Sequence, residues 1–237
     1  MSQERSEAIV LRGVDFSETS RIVTFFSPLR GRFSCMAAGA RRPKSPLGSI
    51  LDIFNRVEIV YYWKENREVQ RLAEAQLLDS YPGIKSNVRK SVFAAFPLEL
   101  VYHVVQQNEP SGLLYEVFVR GMEEMNDWQG DPQAPCVWQV MRILSVTGFA
   151  PNLTCADSSV GFSFEQGATN DPSVWDKIIS PEVLADLRIL AQESDHCPGL
   201  SDAPAVFDLL REFVARQVGK EFRSLRVIDQ VLKTTKE

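Results

Sequence analysis

The sequence is poor in the residues from which metal sites and nucleophilic catalytic sites are built. Its 237 residues include only two histidines and four cysteines. The cysteines lie far apart, with no paired spacing, at Cys35, Cys136, Cys155 and Cys197. His103 lies beside the apolar face of a predicted helix and is interpreted as structural. His196 is next to Cys197, but adjacent side chains rarely point at one reaction centre, so a Cys–His nucleophile is only a third hypothesis.

The motifs of several enzyme classes are also missing. No segment matches the phosphate-binding loop of nucleotide hydrolases, the glycine-rich turn of dinucleotide-binding folds, the paired histidines of zinc proteases or the serine elbow of hydrolases. Acidic residues are spread along the chain, and no pair is marked out as an acid–base couple. We therefore expect a protein that is not an enzyme.

Long hydrophobic runs and a secretory signal are absent as well. The first residues, MSQERSE, carry both charges and precede no apolar core. The longest apolar stretch, residues 92–105, is interrupted by Glu99 and is too short to span a bilayer. Widely spaced cysteines in a chain without a signal are expected to be reduced. These features predict a cytoplasmic protein with no membrane contact.

The composition is that of a globular protein, but its charge is unevenly distributed. Apolar residues make up 44% and charged residues 24% of the chain, and the formal net charge is −5. Residues 1–82 carry twelve Lys and Arg against ten Asp and Glu, whereas residues 126–200 carry three against ten. No acidic residue lies between Glu18 and Asp52. Residues 39–46, called the basic loop below, have the composition of either a solvated loop or an edge that follows phosphates.

The first eighty residues predict five strands. The runs are rich in Val, Ile, Phe and Tyr and are separated by turn residues; they cover residues 7–13, 20–27, 31–38, 51–63 and 69–78. Such spacing favours a small barrel or sandwich, although the last run is also compatible with a helix. Residues 65–67 predict a hairpin loop. Tyr61, Tyr62 and Trp63 are consecutive, so at least one must face opposite to the others. We expect these aromatics, with Phe25, Phe26 and Phe33, to pack in the core rather than to stack on bases.

From residue 83 the hydrophobic period changes from two to about 3.6. A helix is predicted over residues 88–104, with a kink or a division at Pro97. Five more helices are predicted from caps and apolar spacing: one after Ser111, one between Pro135 and Gly148, one after Ser180, one over residues 204–218 and one carrying Phe222, Leu225, Ile228 and Leu232. The sequence thus predicts an α+β protein, with a barrel at residues 1–82 and a helical domain at 83–237 that contains an irregular insertion at about 149–180.

Several segments, in order, resemble the bacterial RecO family of recombination mediators. They are AIVLR (8–12), FSETSR (16–21), GRF (31–33), GARRPKS (39–45), GFAPNL (148–153) and GKEFRSLR (219–226). The resemblance implies an N-terminal OB-fold barrel that binds single- and double-stranded DNA, and a helical C-terminal domain. It also implies strand annealing, help in loading RecA onto coated single strands, an association with the nucleoid, and no covalent catalysis.

The resemblance also implies partners and sites. The implied partners are RecR and the acidic C-terminal tail of the single-stranded-DNA-binding protein, the latter captured by the helical domain. The candidate DNA contacts, carried over by position, are Arg30, Arg32, Arg41, Arg42 and Lys44. The candidate cations for the tail-binding pocket are Arg142, Lys220 and Arg223.

One feature departs from the family pattern. Many members carry two C-x-x-C pairs that bind zinc after the segment matched by residues 148–153. Here Cys155 is followed by Ala-Asp-Ser, and no second pair precedes His196 and Cys197. Because structural zinc requires four suitable ligands, we expect no metal and no other cofactor.

A hypothesis from another class remains open. The chain could be an OB-plus-helix scaffold that binds only proteins, with the basic loop directed at an acidic partner. The negative total charge and the acidic segment 126–200 favour this alternative slightly. The arrangement of the arginines on the barrel is the observation that bears on the choice.

Overall fold

The computed structural model describes residues 2–155 and 160–234. The strands are β1 (Ser2–Asp15), β2 (Arg21–Ser27), β3 (Gly31–Ala37), β4 (Arg56–Trp63), β5 (Val69–Asp79), β6 (Val160–Ser163), β7 (Gly167–Thr169) and β8 (Lys177–Ile179). The helices are α1 (Leu47–Ile50), α2 (Pro82–Lys85), α3 (Val88–Val104), α4 (Gly112–Asp127), α5 (Gln133–Thr147), α6 (Pro181–Ala191), α7 (Ala203–Val218) and α8 (Arg223–Thr234). None of the helices in these described ranges is long and apolar enough to cross a membrane.

The first five strands close into a ring in the order β1-β2-β3-β5-β4. β3 and β5 pair in parallel, and the other neighbours are antiparallel. The long strand β1 pairs with both β2 and β4, and its register with β2 shifts between Val10 and Arg12, which lets one strand serve two neighbours. This is the topology of an OB fold, so the predicted fold class is confirmed. The run at 69–78, which was ambiguous from its pattern, is a strand.

The barrel core follows from alternation along the strands. In β3 every second residue is buried, and Phe33 lies among the core aromatics. Its ring centre is 4.9 Å from that of Tyr61 and 6.0 Å from that of Trp63. Tyr62, between them, is only half-buried and faces the other way. The prediction that these aromatics serve mainly as core is confirmed, with Tyr62 as the exception.

Helix α3 runs through Pro97 as one continuous element, so the predicted division is not found. Proline has no N–H to donate to the carbonyl four residues earlier, which is that of Phe93. The Cys136 thiol of α5 donates to this carbonyl instead, at 3.5 Å. The thiol therefore satisfies a backbone acceptor that proline leaves without its helical partner.

The other helix boundaries agree with the capping signals. Ser180 accepts a hydrogen bond from the Val183 N–H at 3.2 Å and starts α6. Gly148 and Gly219 end α5 and α7 with φ of 78° and 64°, left-handed values that favour glycine. Ser111 precedes α4 as predicted, although its hydroxyl donates to the Glu109 carbonyl.

The segment predicted to be irregular contains a small three-stranded sheet in the order β7-β6-β8. Only β6 has a visible alternating pattern; β7 and β8 have three residues each, too few for a period to be recognised. Trp175 lies directly against Gly161, where a Cβ atom would be 1.9 Å from the indole. Glycine is therefore required there for the indole to lie on the sheet.

The chain divides into two compact units. Unit 1 contains Met1–Lys85 and Val101–Glu116, and unit 2 contains Ser86–Leu100 and Val117–Glu237. Unit 1 thus holds the barrel and a helix–loop–helix segment. Unit 2 holds the remaining helices and the small sheet.

Candidate nucleic-acid interface

The five candidate DNA-contact residues fall into two groups at opposite ends of β3. Arg30 and Arg32 lie at its start, and Arg41, Arg42 and Lys44 lie in the basic loop after its end. Because β3 has seven residues and strands rise about 3.3 Å per residue, the two groups are separated by roughly 20 Å of strand. They belong to one barrel but not to one cluster.

Arg30 is engaged within the barrel. Its guanidinium donates to both carboxylate oxygens of Glu4, at 2.6 and 3.0 Å, and lies 4.4 Å from the centre of the Trp63 ring. Tyr61 donates to the same carboxylate at 3.0 Å. The Arg30 hydrogen bonds hold the pKa of Glu4 below its usual value, and Glu4 raises the pKa of Arg30. Contact with a phosphate would compete with this bidentate pair.

The basic loop is attached to the β1–β2 loop by Arg41. The Arg41 N–H donates to the Thr19 carbonyl at 3.1 Å, and the side chain donates to the Ser17 carbonyl at 2.5 Å. Its Nε also lies 3.2 Å from a carboxylate oxygen of Asp15. Arg41 is thus a structural connection between two loops, with much of its charge already compensated.

Arg42 and Lys44 differ from Arg41. Both are exposed, and neither forms an ion pair with any residue in the described part of the chain. Lys44 has φ of 65°, which points to a tight loop backbone at this position. Phe16, at the tip of the adjoining β1–β2 loop, is 59% exposed. Two uncompensated cations and one exposed aromatic ring therefore lie on neighbouring loops.

A third group of residues forms what we call the outer face of the barrel: Thr24, Arg32, Ser34, Tyr62 and Arg71. The Thr24 and Ser34 hydroxyls are 3.0 Å apart on paired strands. The Arg71 guanidinium lies 6.0 Å from the centre of the Tyr62 ring on the next pair. The strands are adjacent, so the face spans about 14 Å across β2, β3, β5 and β4. In OB folds this face and its flanking loops bind oligonucleotides.

Sequence reasoning missed most of this face. Of its members, only Arg32 was a candidate, and neither Arg71 nor the neighbouring Tyr102 was one. Arg71 lies opposite Tyr62 because of the register between β4 and β5. This register cannot be predicted from residues 69–78, since their pattern is also compatible with a helix. Tyr62 could have been recognised from the sequence. It lies between two aromatic residues of the core, and alternation along a strand places the middle residue on the opposite face.

The candidate partner-binding cations lie in unit 2. Lys220 and Arg223 flank the short connection between α7 and α8, and both are exposed. The first turn of α8 is held by Glu99, which accepts from the Arg223 N–H at 3.1 Å and the Ser224 N–H at 2.9 Å. Arg142 is half-buried on α5. The start of α8 is thus anchored to α3, with Lys220, Glu221 and Arg223 exposed beside it.

The adjacent Cys–His pair is not arranged as a nucleophile and its base. The His196 ring faces the Glu124 carboxylate at 3.2 Å, and the Cys197 N–H donates to the other oxygen at 3.2 Å. Burial and, secondarily, the Glu124 charge raise the pKa of the Cys197 thiol to about 12. A thiol with this pKa stays protonated at neutral pH.

Next to Cys155, the described part of the chain shows an arginine in contact with the backbone. Within residues 2–155 and 160–234, no three His, Cys, Asp or Glu side chains come together as a metal centre. Residues 156–159, which follow Cys155, lie outside the described part. The Arg188 guanidinium donates to the Leu153 carbonyl at 3.2 Å and to the Cys155 carbonyl. A fixed cation thus lies where the sequence pattern of the family would lead one to expect a metal ion.

Comparison with known proteins supports this description. Residues 1–81 match the family described as Recombination protein O N terminal, and residues 85–226 match Recombination protein O C terminal. The DNA repair protein RecO of Exiguobacterium sibiricum is 26% identical, with 97% of both chains covered. The DNA repair protein RecO of Salinibacter ruber is 29% identical over 62% of this chain, which spans 56% of that relative. The corresponding protein of Syntrophotalea carbinolica is 29% identical over 68% of this chain, which spans 62% of that relative. With both family matches in order along most of its length, the chain belongs to the RecO family of DNA repair and recombination proteins.

Proposed function

We propose that this protein is a non-catalytic DNA-binding protein of recombinational repair that anneals complementary strands and helps to load RecA onto coated single strands. The observation that carries the proposal is the combination, in one OB barrel, of uncompensated loop cations with an outer face of arginine and aromatic side chains. Both single- and double-stranded DNA present the phosphates that these cations would bind.

The basic loop and the outer face would make different contacts with DNA. Arg42 and Lys44 stand free on the basic loop, where they neutralise phosphates without reading sequence. The outer face offers Tyr62 and Arg71 as a stacking surface, which accepts any base because every base has a π-face. A protein of this kind binds sequence-tolerantly and leaves base edges available for pairing.

The partners are assigned on family membership and on charge. We assign RecR as a direct partner, and the acidic tail of the single-stranded-DNA-binding protein as a ligand of unit 2. Lys220, Arg223 and Arg142 are the cations proposed to hold that tail. Reversing the charge of Lys220 and Arg223 should abolish binding of an acidic tail peptide and leave DNA binding unchanged. Such a protein acts in the cytoplasm, at the nucleoid.

The test is a salt titration of binding to a fluorescent single-stranded oligonucleotide. Each phosphate neutralised on single strands contributes about −0.7 to the slope of log K against log salt. If Arg42 and Lys44 each neutralise one phosphate, replacing both with alanine should reduce the magnitude of the slope by about 1.4. The loop is solvated, so the free energy of unfolding should change by no more than about 0.5 kcal/mol.

A matched control removes the same charge elsewhere. Arg226 and Lys233 are exposed on α8, and their double alanine variant should keep the slope. An unchanged slope and unchanged annealing in the Arg42/Lys44 variant would refute the role of the basic loop. Equal reductions in both variants would mean that only net charge matters.

The alternative, a scaffold for acidic protein partners, is favoured by one observation. Arg30 and Arg41 already bind carboxylates, those of Glu4 and Asp15. An annealing assay distinguishes the two functions when the single strands are coated with the cognate single-stranded-DNA-binding protein. A scaffold would bind the coating protein without accelerating annealing, whereas a mediator accelerates it.

A further inference from the structure

A cleft of about 230 Å³ lies in unit 1, next to the outer face. Thr24, Arg32 and Ser34 of the outer face line it, together with residues 65–68 of the β4–β5 loop. Tyr102 and Asn108, from the segment after the barrel, complete the lining. The cleft therefore combines the binding face of an OB fold with side chains from outside the five strands.

The walls of the cleft are held in place by the backbone. The Arg32 N–H donates to the Gln106 carbonyl at 3.1 Å, and the Asn108 N–H donates to the Arg32 carbonyl at 3.3 Å. Gly31 has φ of 55°, and a Cβ atom there would be 2.4 Å from the Glu109 carbonyl oxygen. Glycine thus lets the segment at 105–109 lie directly on the start of β3. The cleft is preformed, so little ordering is needed on binding.

The side chains in the cleft are suited to a flat, neutral ring. The Arg32 guanidinium lies 4.7 Å from the centre of the Tyr102 ring, and its Nε is oriented by the Val105 carbonyl at 3.4 Å. An arginine plane and an aromatic ring are the two surfaces on which unpaired bases stack. The paired hydroxyls of Thr24 and Ser34 can donate to and accept from base edges.

The charges that line the cleft balance. Arg32 and Arg67 are offset by Glu65 and Glu68, so the lining carries no net positive charge to attract a phosphate. A neutral base enters such a lining without an electrostatic cost, while its phosphates stay outside, near cations such as Arg71. The ligand that fits is the base, not the backbone.

We propose that this cleft takes one unstacked nucleobase of a bound single strand, which stacks on the outside of the Arg32–Tyr102 pair, because 4.7 Å between these two groups leaves no room for a base between them. The inference rests on the proposed DNA-binding function and adds a base-holding subsite to it. Holding one base out of the stack would fix the strand on the barrel while its neighbours remain free to pair.

The test compares two oligonucleotides of equal length, oligo-dT and its abasic counterpart, which carry the same number of phosphates. The wild-type protein should bind oligo-dT about tenfold more tightly, as expected when one base stacks on an aromatic side chain. Tyr102→Leu should reduce this preference and leave only the part that comes from stacking on Tyr62; it should bind the abasic strand as the wild type does and keep the salt slope. Tyr102→Phe retains the ring and should retain the preference.

The other outcomes are distinguishable. If Tyr102→Leu keeps the full preference for oligo-dT, the cleft does not take a base and the inference is overturned. If neither oligonucleotide binds the wild-type protein, the DNA-binding proposal itself fails. Arg32→Lys keeps the charge but not the planar group, so it should also reduce the preference, which guards against misfolding of a single variant.

Discussion

At the scale of single residues, charge compensation decides which cations are available. Arg30 and Arg41 look equivalent to Arg42 in sequence, yet the first two face carboxylates and Arg42 does not. The sequence places all three in a segment without acidic neighbours, but Glu4 and Asp15 reach them across the sheet. From the sequence, candidate residues can therefore be named by type and region but not by availability, because availability depends on strand register.

The ion pair between Glu4 and Arg30 predicts a pH-dependent stability. The pKa of Glu4 is lowered in the folded protein by the Arg30 hydrogen bonds. The contribution of the pair is thus fully present above the ordinary glutamate value of 4.5 and is lost as pH falls through the lowered folded pKa. Glu4→Gln should cost about 1 kcal/mol of unfolding free energy at pH 7, and the difference should shrink below pH 4.5. Urea titrations at pH 7 and pH 3 measure this, and a difference that stays constant with pH would contradict it.

The Cys197 thiol is predicted to react slowly. With a pKa of about 12, its thiolate fraction at pH 8 is about a thousandfold smaller than that of a thiol with the ordinary value of 9.0. Timed alkylation with iodoacetamide, followed by mass spectrometry of tryptic peptides, should show Cys197 modified only slowly. Glu124→Gln removes the nearby negative charge and should increase the rate. Rapid alkylation that is indifferent to this substitution would overturn the assignment and revive the nucleophile hypothesis.

At the scale of elements, the sequence predicted the helices that are long or have clear capping residues and missed the shortest strands. The long helix α3 and the capped helices α5, α6 and α7 have sustained periods or clear terminal signals. β7 and β8 have neither, since three residues cannot display a period; β7 forms a short hairpin with β6, and β8 pairs with β6 across the residues between them. Of the kink or division expected at Pro97, the division is not found, and the Cys136 thiol donates to the carbonyl that proline leaves without its helical partner, a tertiary contact that no local pattern reveals.

The segment around Cys155 is predicted to be held by Arg188 instead of zinc. Its hydrogen bonds to the Leu153 and Cys155 carbonyls are charge-assisted, and a hydrogen bond of this kind contributes about 1.5–3 kcal/mol. Arg188→Met should lower the melting temperature by at least about 3 °C, because each kcal/mol of lost stability corresponds to about 2–4 °C in a chain of this size. A chelator should leave both proteins unchanged, and dialysed protein should contain well under one zinc per chain. Stoichiometric zinc, or a melting temperature lowered by chelation, would contradict this assignment.

At the scale of the whole molecule, the compact unit that contains the barrel is not a contiguous piece of sequence. Unit 1 includes Val101–Glu116, which follows a stretch of chain that belongs to unit 2. This segment forms backbone hydrogen bonds with β3 through Gln106 and Asn108. No composition shift or linker marks such an arrangement, because α3 continues without interruption past residue 100. A boundary drawn from sequence pattern alone therefore omits part of the barrel's packing.

A chain of residues 1–85 should therefore form a weakened barrel. It lacks Tyr115, whose ring packs edge-on against Phe26 at 5.4 Å, and Phe26 is fully buried in the intact protein. Exposing a phenylalanine costs about 1.5–3 kcal/mol, and the lost aromatic pair adds about 0.5–1.5 kcal/mol. Trp63 is the sole tryptophan of the short chain, so its emission in a urea titration reports barrel unfolding directly. We expect a free energy of unfolding about 2–4 kcal/mol below that of the barrel in the full chain, where Tyr115→Ala should produce a smaller shift in the same direction. If residues 1–85 unfold at the same urea concentration as the full-length barrel, the segment after residue 100 contributes nothing to it, and the preformed cleft that depends on that segment loses its structural basis.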